Sequence, residues 1–352
     1  MVRDAVPLRD CGRALVVKLR HHGDVLLAAP VLSVLKAHAP RMEVDALVYD
    51  DTAPMLEGHP ALSQLHALGR KWRSAGTLDR LSQEWKLFRS LRGRRYDLLV
   101  HLTEHPRGAW LRRMLGTRFS VAPIMPDRGV FWRRSFSHLY PLIGNRHRVE
   151  VNLDALRRIG IQPGLDERRV EFVPGAQARS RVERLVPRTG FIHMHPASRW
   201  RFKCWPAERN AELADRLAAD GRQVVLTSAP DETSFIDEIL QKASSAPLNL
   251  AGQLSLKELG ALTARASLFI GVDSMPMHLA AAMGTPTVAL FGPSSEVEWG
   301  PWNVARRIVT TAHSCRPCRV DGCGGGKLSE CLTLLPVDAV YTAARELLTP
   351  VK

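Results

Sequence analysis

The chain has 352 residues, with 49 lysines and arginines against 35 aspartates and glutamates, giving a formal net charge of +14. That length exceeds what one core usually fills and points to two domains, and an apolar share of 45% beside a charged share of 24% excludes a disordered or low-complexity chain. No window approaches the roughly 18 apolar residues of a membrane span, residues 1–13 are charged throughout rather than built as a signal peptide, and the cysteines are too few for a disulfide scaffold; a cytosolic protein is expected.

An apolar run at 14–19 leads into Arg20-His21-His22-Gly23 and then an amphipathic stretch at 24–38 closed by Pro40, the pattern of strand, loop and helix. Further strands are expected at 42–49, 97–102 and 118–122, with a polar helix at 78–91. Residues 161–190 hold three prolines and no sustained period, which reads as an interdomain linker. The alternation then restarts, with strands at 191–195, 223–227, 267–272 and 287–291 and helices at 206–220, 233–243, 256–265, 277–283 and 337–348. The expected class is therefore α/β, a doubly wound parallel sheet in each of two domains, 1–175 and 176–336, closed by a C-terminal helix at 337–352. Ligands of such sheets bind beyond the carboxyl ends of the strands, so a cleft between the domains is the expected site.

The charge is uneven. Residues 1–175 hold 29 basic and 18 acidic side chains, net +11, whereas 176–352 hold 20 and 17, net +3; residues 70–134 alone hold 16 and 5. Such a density suits phosphate groups, on a small molecule, an anionic membrane or a nucleic acid. Trp72, Trp85, Trp110 and Trp132 interleave with these arginines, so a nucleic-acid-binding protein is a second reading, though aromatics make up only 6% of the chain.

Three constellations sit at predicted strand ends. Lys18-Leu19-Arg20-His21-His22-Gly23-Asp24 places a carboxylate where a helix begins, as an N-cap or as a general base among cations able to hold a phosphorylated substrate. His195-Pro196-Ala197-Ser198-Arg199-Trp200-Arg201-Phe202-Lys203 carries three cations ahead of a helix opened by Pro206, an anion site suited to a diphosphate. Asp273-Ser274-Met275-Pro276-Met277-His278 repeats strand end and proline-opened helix. No dinucleotide fingerprint follows a strand, and Gly324-Gly325-Gly326-Lys327 lacks the P-loop spacing, so hydride transfer and NTP hydrolysis lose ground. Cys315-x2-Cys318-x4-Cys323-x7-Cys331 leaves open a four-thiolate structural zinc site or a set of reduced thiols.

Together these segments resemble the lipopolysaccharide heptosyltransferases, inverting enzymes of glycosyltransferase family 9 with the GT-B fold, and among them the heptosyltransferase III branch, over nearly the whole chain. The resemblance implies two Rossmann-like βαβ domains facing each other across a cleft, an ADP-L-glycero-β-D-manno-heptose donor in the second, and a lipopolysaccharide inner-core acceptor, expected at heptose II, in the first. It implies that Asp24 is the base and that Lys203 neutralises the leaving diphosphate, with no cofactor or metal required. Lys18, Arg20, His21 and His22 would surround the acceptor. Ser198 and Arg199 fall at the donor phosphates, Glu232 at the ribose, Leu254 at the adenine and Asp273 at the donor sugar, while Ser274, Met275 and His278 form the diphosphate-side turn. Met275 replaces a glycine of other branches, and Arg199 a second hydroxyl of some. The implied location is cytoplasmic, peripheral on the inner face of the membrane, with no nucleic acid as partner; transfer to the first or second core heptose, and a catalytically dead sugar-nucleotide sensor, are the alternatives.

Overall fold

The structure, a computed structural model, describes residues 4–70 and 77–349, as backbone alone for 77–81. The chain divides into two compact units, Met1–Glu171 and Phe172–Lys352. The first holds β1 (Arg13–Val17), β2 (Glu43–Tyr49), β3 (Gln64–Leu68), β4 (Leu98–His101), β5 (Phe119–Pro123) and β6 (His138–Tyr140), all parallel in the order β3-β2-β1-β4-β5-β6. The second holds β7 (Ile192–His195), β8 (Val224–Leu226), β9 (Leu248–Asn249), β10 (Leu268–Val272), β11 (Thr287–Leu290) and β12 (Arg306–Val309), in the order β12-β11-β10-β7-β8-β9 and again parallel. Counted within its own unit, each sheet has the same strand order. Each winds outward both ways from its first strand, so a crevice opens beyond the carboxyl ends of β1 and β4 in one unit and of β7 and β10 in the other.

The inner strands are apolar runs because helices cover both of their faces: Ala14 to Val17 in β1 and Leu268 to Val272 in β10 are buried throughout. The helix expected at 24–38 is two, His22–Leu26 and Ala29–His38, because Pro30 sits in the first turn of the second, where its missing N–H breaks no bond. The expected linker at 161–190 is not irregular throughout. It contains the helix Ala176–Leu185, whose Ala178 and Val182 join Val186 in a buried cluster with Ala261 and Leu262. The closing helix Val337–Leu348 packs within the second unit, against the helix Ala207–Ala219 and β10 to β12.

One buried polar knot fixes the first sheet. Tyr96 donates its hydroxyl hydrogen to Asp45 Oδ2 at 2.7 Å and therefore accepts from His66 Nε2 at 2.9 Å, while Arg94 Nε donates to the same carboxylate at 2.8 Å. Burial alone would raise the Asp45 carboxyl, but the hydrogen bonds from His66, Arg94 and Tyr96 outweigh it and hold it at about 2. A depressed folded-state value stabilises above the unfolded pKa and is lost as pH falls, here from about 4 toward 2. Asp45→Asn takes from the knot the carboxylate that Tyr96 and Arg94 both bond, leaving Arg94 only Glu43 as a charged partner, and should cost about 3 kcal/mol at pH 7 in a denaturant titration. The cost should shrink below pH 4; an undiminished difference at pH 3 would reject the carboxylate as its source.

Candidate active site

At the carboxyl end of β1 the chain turns directly into the short helix His22–Leu26, with His21 as N-cap and Asp24 in the first turn. Asp24 is therefore not the cap. Its carboxylate is half-buried and, among the described residues, hydrogen-bonds and ion-pairs with nothing. Beneath it Lys18 is buried, its Nζ donating to the carbonyl of Leu102 beyond β4 and to Asn152 Oδ1, each at 3.0 Å; Asn152 Nδ2 in turn donates to Leu27 O at 2.9 Å. Burial pulls the Lys18 ammonium down to about 8, and the carboxylate of Asp24 is the charge that opposes this most. Lys18 thus ties β1, β4 and the helix Arg148–Arg158 together under the Asp24 loop. His22 Nε2 donates to Asp51 O at 2.9 Å, and burial lowers its pKa, which fixes it as a neutral strut. Arg20 and His21 are exposed at the crevice rim, and the Arg20 carbonyl accepts from Arg70 Nη2 at 3.1 Å.

In the second unit the loops after β7 and β10 meet. Lys203 Nζ lies 2.5 Å from Asp273 Oδ2, with the aspartate side chain 8% and the lysine 24% exposed. Ser198 lies in the loop between β7 and Lys203, its Oγ accepting from Trp200 N at 3.4 Å; Arg199 is exposed over the Trp200 ring. Arg201 turns away onto Glu238 at 2.6 Å. Ser274 is the N-cap of the helix Met275–Ala282 but makes no capping bond, so its Oγ and the first-turn amides are left for an anion. His278 lies buried on that helix, 6.2 Å from the Trp299 ring. Glu232 accepts from Ala229 N at 3.2 Å, and burial raises its carboxyl pKa, while Leu254 packs at the edge of the core near Leu250. Gly271, one residue before the end of β10, is required there: a Cβ would sit 2.9 Å from His195 O.

A chain of four buried side chains supports the end of β7. Thr263 Oγ1 donates to Leu259 O, so it can only accept from His193 Nδ1 at 3.1 Å. Burial keeps His193 neutral, so its Nε2 accepts from Thr227 Oγ1 at 2.7 Å; that hydroxyl, its hydrogen spent, accepts from His195 Nδ1 at 2.8 Å. Both histidines are thereby fixed as Nδ1–H tautomers, and burial pushes His195 down to about 3. Long-range ¹H–¹⁵N spectra should show two Nδ1–H imidazoles that do not titrate between pH 5 and 8. A midpoint near 6.5 for either would contradict the direction of the chain.

The matching family model is that of glycosyltransferase family 9 (heptosyltransferase), over residues 84–328. The chain is 38% identical over 291 residues to lipopolysaccharide heptosyltransferase 3 of Escherichia coli, covering 81% of this chain and 85% of that one. It belongs to glycosyltransferase family 9. It is therefore a glycosyltransferase, with the two-domain GT-B fold. A family 9 glycosyltransferase from Veillonella parvula superposes with a TM-score of 0.84 at 23% identity, over 98% of this chain and 99% of that one. E. coli heptosyltransferase WaaC with ADP gives 0.75 at 21%, over 95% and 99%.

The remaining sequence expectations divide. The basic segment 70–134 is partly structural: Arg70 pairs with Asp51, Arg94 with Asp45 and Glu43, and Arg107 with Glu84. Trp132 is buried and donates to Pro123 O at 2.9 Å, which removes it as a stacking platform; Trp72 lies outside the described residues. The thiols of Cys315, Cys318, Cys323 and Cys331 are free, and among the described residues no group of three or more His, Cys, Asp or Glu is placed to hold a metal ion. Among the described residues no helix is long and apolar enough to cross a membrane. Sequence reasoning missed Asn152 and Thr227, which position Lys18 and His195 from 134 and 32 residues away.

Proposed function

We propose that the protein transfers L-glycero-D-manno-heptose from ADP-heptose, with inversion, to the inner core of lipopolysaccharide, at heptose II. The observation that carries this reading is the Lys203–Asp273 pair beyond β7 and β10, a cation and a carboxylate side by side where a sugar diphosphate would join its nucleotide to its sugar. The second unit then holds the donor and the first the acceptor. Ser198, Arg199, Ser274, Met275 and His278 surround the diphosphate, Glu232 the ribose and Leu254 the adenine. Asp273 accepts from the hydroxyls of the heptose. The likeness to heptosyltransferase 3 favours heptose II over the first or second core position.

In this reaction the Asp24 carboxylate takes the proton of the acceptor hydroxyl as that oxygen attacks the anomeric carbon from the face opposite the diphosphate. The new glycosidic C–O bond forms as the bond to the β-phosphate breaks. The electron pair leaves on ADP, whose charge is met by Lys203 and by the N-terminus of the helix Met275–Ala282. Lys18, buried below Asp24 and tied to Leu102 and Asn152, places its positive charge under that carboxylate. No cofactor is assigned a part. The enzyme works at the inner face of the cytoplasmic membrane, where exposed Arg113, Arg133 and Arg134 meet anionic lipid. Incubation with ADP-heptose and core-truncated lipopolysaccharide, read by mass spectrometry, should add one heptose; no added heptose on any truncated core rejects the reading.

A further inference from the structure

The first unit contains a cavity of about 540 Å³ between the helices Thr77–Arg94 and Arg107–Leu115, walled by Leu47, Leu68, Leu87, Phe88, Leu91 and Leu111. None of the residues placed in the proposed reaction lines it. Its mouth is formed by Trp85, Trp110 and Met114, which are 57%, 58% and 49% exposed. Large apolar side chains are left in water at one place because something apolar covers them. The polar groups around the mouth give the sign of that partner. Across residues 82–92, 104–115 and 129–135 eight basic side chains stand against two acidic, Glu84 and Glu104, and Arg107 already neutralises Glu84 at 2.9 Å. Arg113 lies 4.8 Å over the Phe131 ring, itself 4.8 Å from Trp110, so cation and apolar wall belong to one surface.

The position of the groove adds a direction. Leu68 ends β3, and His105 and Pro106 at the mouth follow β4, so the groove opens at the same sheet end that carries Asp24 beyond β1. The strands flanking β1 lie about 5 Å away on either side and the next about 10 Å, and Arg70 bridges the interval by its bonds to Arg20 O and Asp51. A free phosphate would use the arginines and leave the groove empty. A nucleic acid would need flat stacking surfaces, and Trp85 and Trp110 instead frame an apolar hole.

We propose that this groove binds one acyl chain of an anionic lipid, with the headgroup charge on the surrounding arginines. On the reaction proposed above, on which this part rests, the chain anchors the acceptor so that its sugars run along the sheet end to Asp24. Each buried CH2 strengthens binding by about fourfold.

Calorimetry with dodecyl phosphate below its micelle concentration, hexyl phosphate and inorganic phosphate tests it. The protein should bind the dodecyl compound at least a hundredfold more tightly than the hexyl one, with no heat from phosphate. Trp85→Ala/Trp110→Ala, at exposed positions, should weaken dodecyl phosphate tenfold or more and leave ADP affinity unchanged. Equal binding of all three phosphates, no binding of the dodecyl compound, or displacement of it by an oligonucleotide overturns the proposal. So does equal adsorption of parent and variant to anionic vesicles without dodecyl phosphate affinity. A transfer assay separates the two readings. Removing the acyl chains from the acceptor should raise KM about tenfold or more at unchanged kcat, and this difference should vanish in the double variant. Equal KM for both acceptors rejects the groove but keeps the transferase; transfer to neither rejects the transferase.

Discussion

Asp24→Asn should lower kcat for heptosyl transfer by about 10²- to 10⁴-fold, the usual worth of a positioned general base, while the affinity for ADP-heptose stays as it was. The separation follows from the fold, because Asp24 stands on the β1 loop of the first unit and the proposed donor contacts all lie in the second. Asparagine keeps the shape of the side chain and removes its charge and its capacity to take a proton. The helix His22–Leu26 should survive, since its cap is His21 and the Asp24 side chain makes no bond that holds the turn. Lys18 would lose the carboxylate that most opposes its desolvation, so its ammonium should titrate below about 8 in the variant. Single-turnover kinetics on a variant with an unchanged melting curve gives the comparison, and turnover at the parental rate would reject Asp24 as the base.

Lys203→Ala should cost about 10²- to 10³-fold in kcat, the range for removing one preorganised charge partner of a leaving group. Its effect differs in kind from that of Asp24. Removal of the lysine leaves the Asp273 carboxylate, 8% exposed, with no counter-charge, so donor affinity should fall as well. Arginine should restore little, because the site holds a compact ammonium 2.5 Å from one carboxylate oxygen and a planar fork does not fit that geometry. The test is kcat and the ADP-heptose dissociation constant measured separately. Loss of affinity with kcat intact would mean that Lys203 binds the ground state and does not assist departure of ADP.

The inner strands and the site loops were legible in the sequence for the same physical reason. β1, β10 and β11 are covered on both faces and so spell continuous apolar runs, and the polar residues that follow mark the points where the chain leaves the sheet. Four strands were not anticipated: β3, β6, β9 and β12. Each is the edge of its sheet, and they carry residues such as Gln64, His66, Arg306 and Arg307, with no apolar run to betray them. The helix Ala176–Leu185 was hidden because only Ala178 and Val182 of its ten residues are buried, too few to set a period amid six charged or polar neighbours such as Arg179 and Glu183. Among the site residues, Asp24, Lys203 and Asp273 announced themselves by their place after a strand. The contact between the last two did not, since 70 residues separate them and only the adjacency of β7 and β10 brings them together. Asn152 and Thr227 had no local signal at all, because each acts through a partner on another strand or helix.

In the proposed reaction the Lys203–Asp273 pair would make donor capture an exchange of anions. Without nucleotide the lysine is already satisfied, so a diphosphate must displace a carboxylate before it gains that cation. The displaced Asp273 is then stranded in a buried place unless hydroxyl groups arrive with the diphosphate. The transferred sugar of the donor would bring them to Asp273; the spent nucleotide keeps only its ribose hydroxyls, placed at Glu232. The same two side chains would therefore favour the loaded donor over the product, and after transfer the carboxylate would reclaim its lysine and help to expel the ADP it had let in.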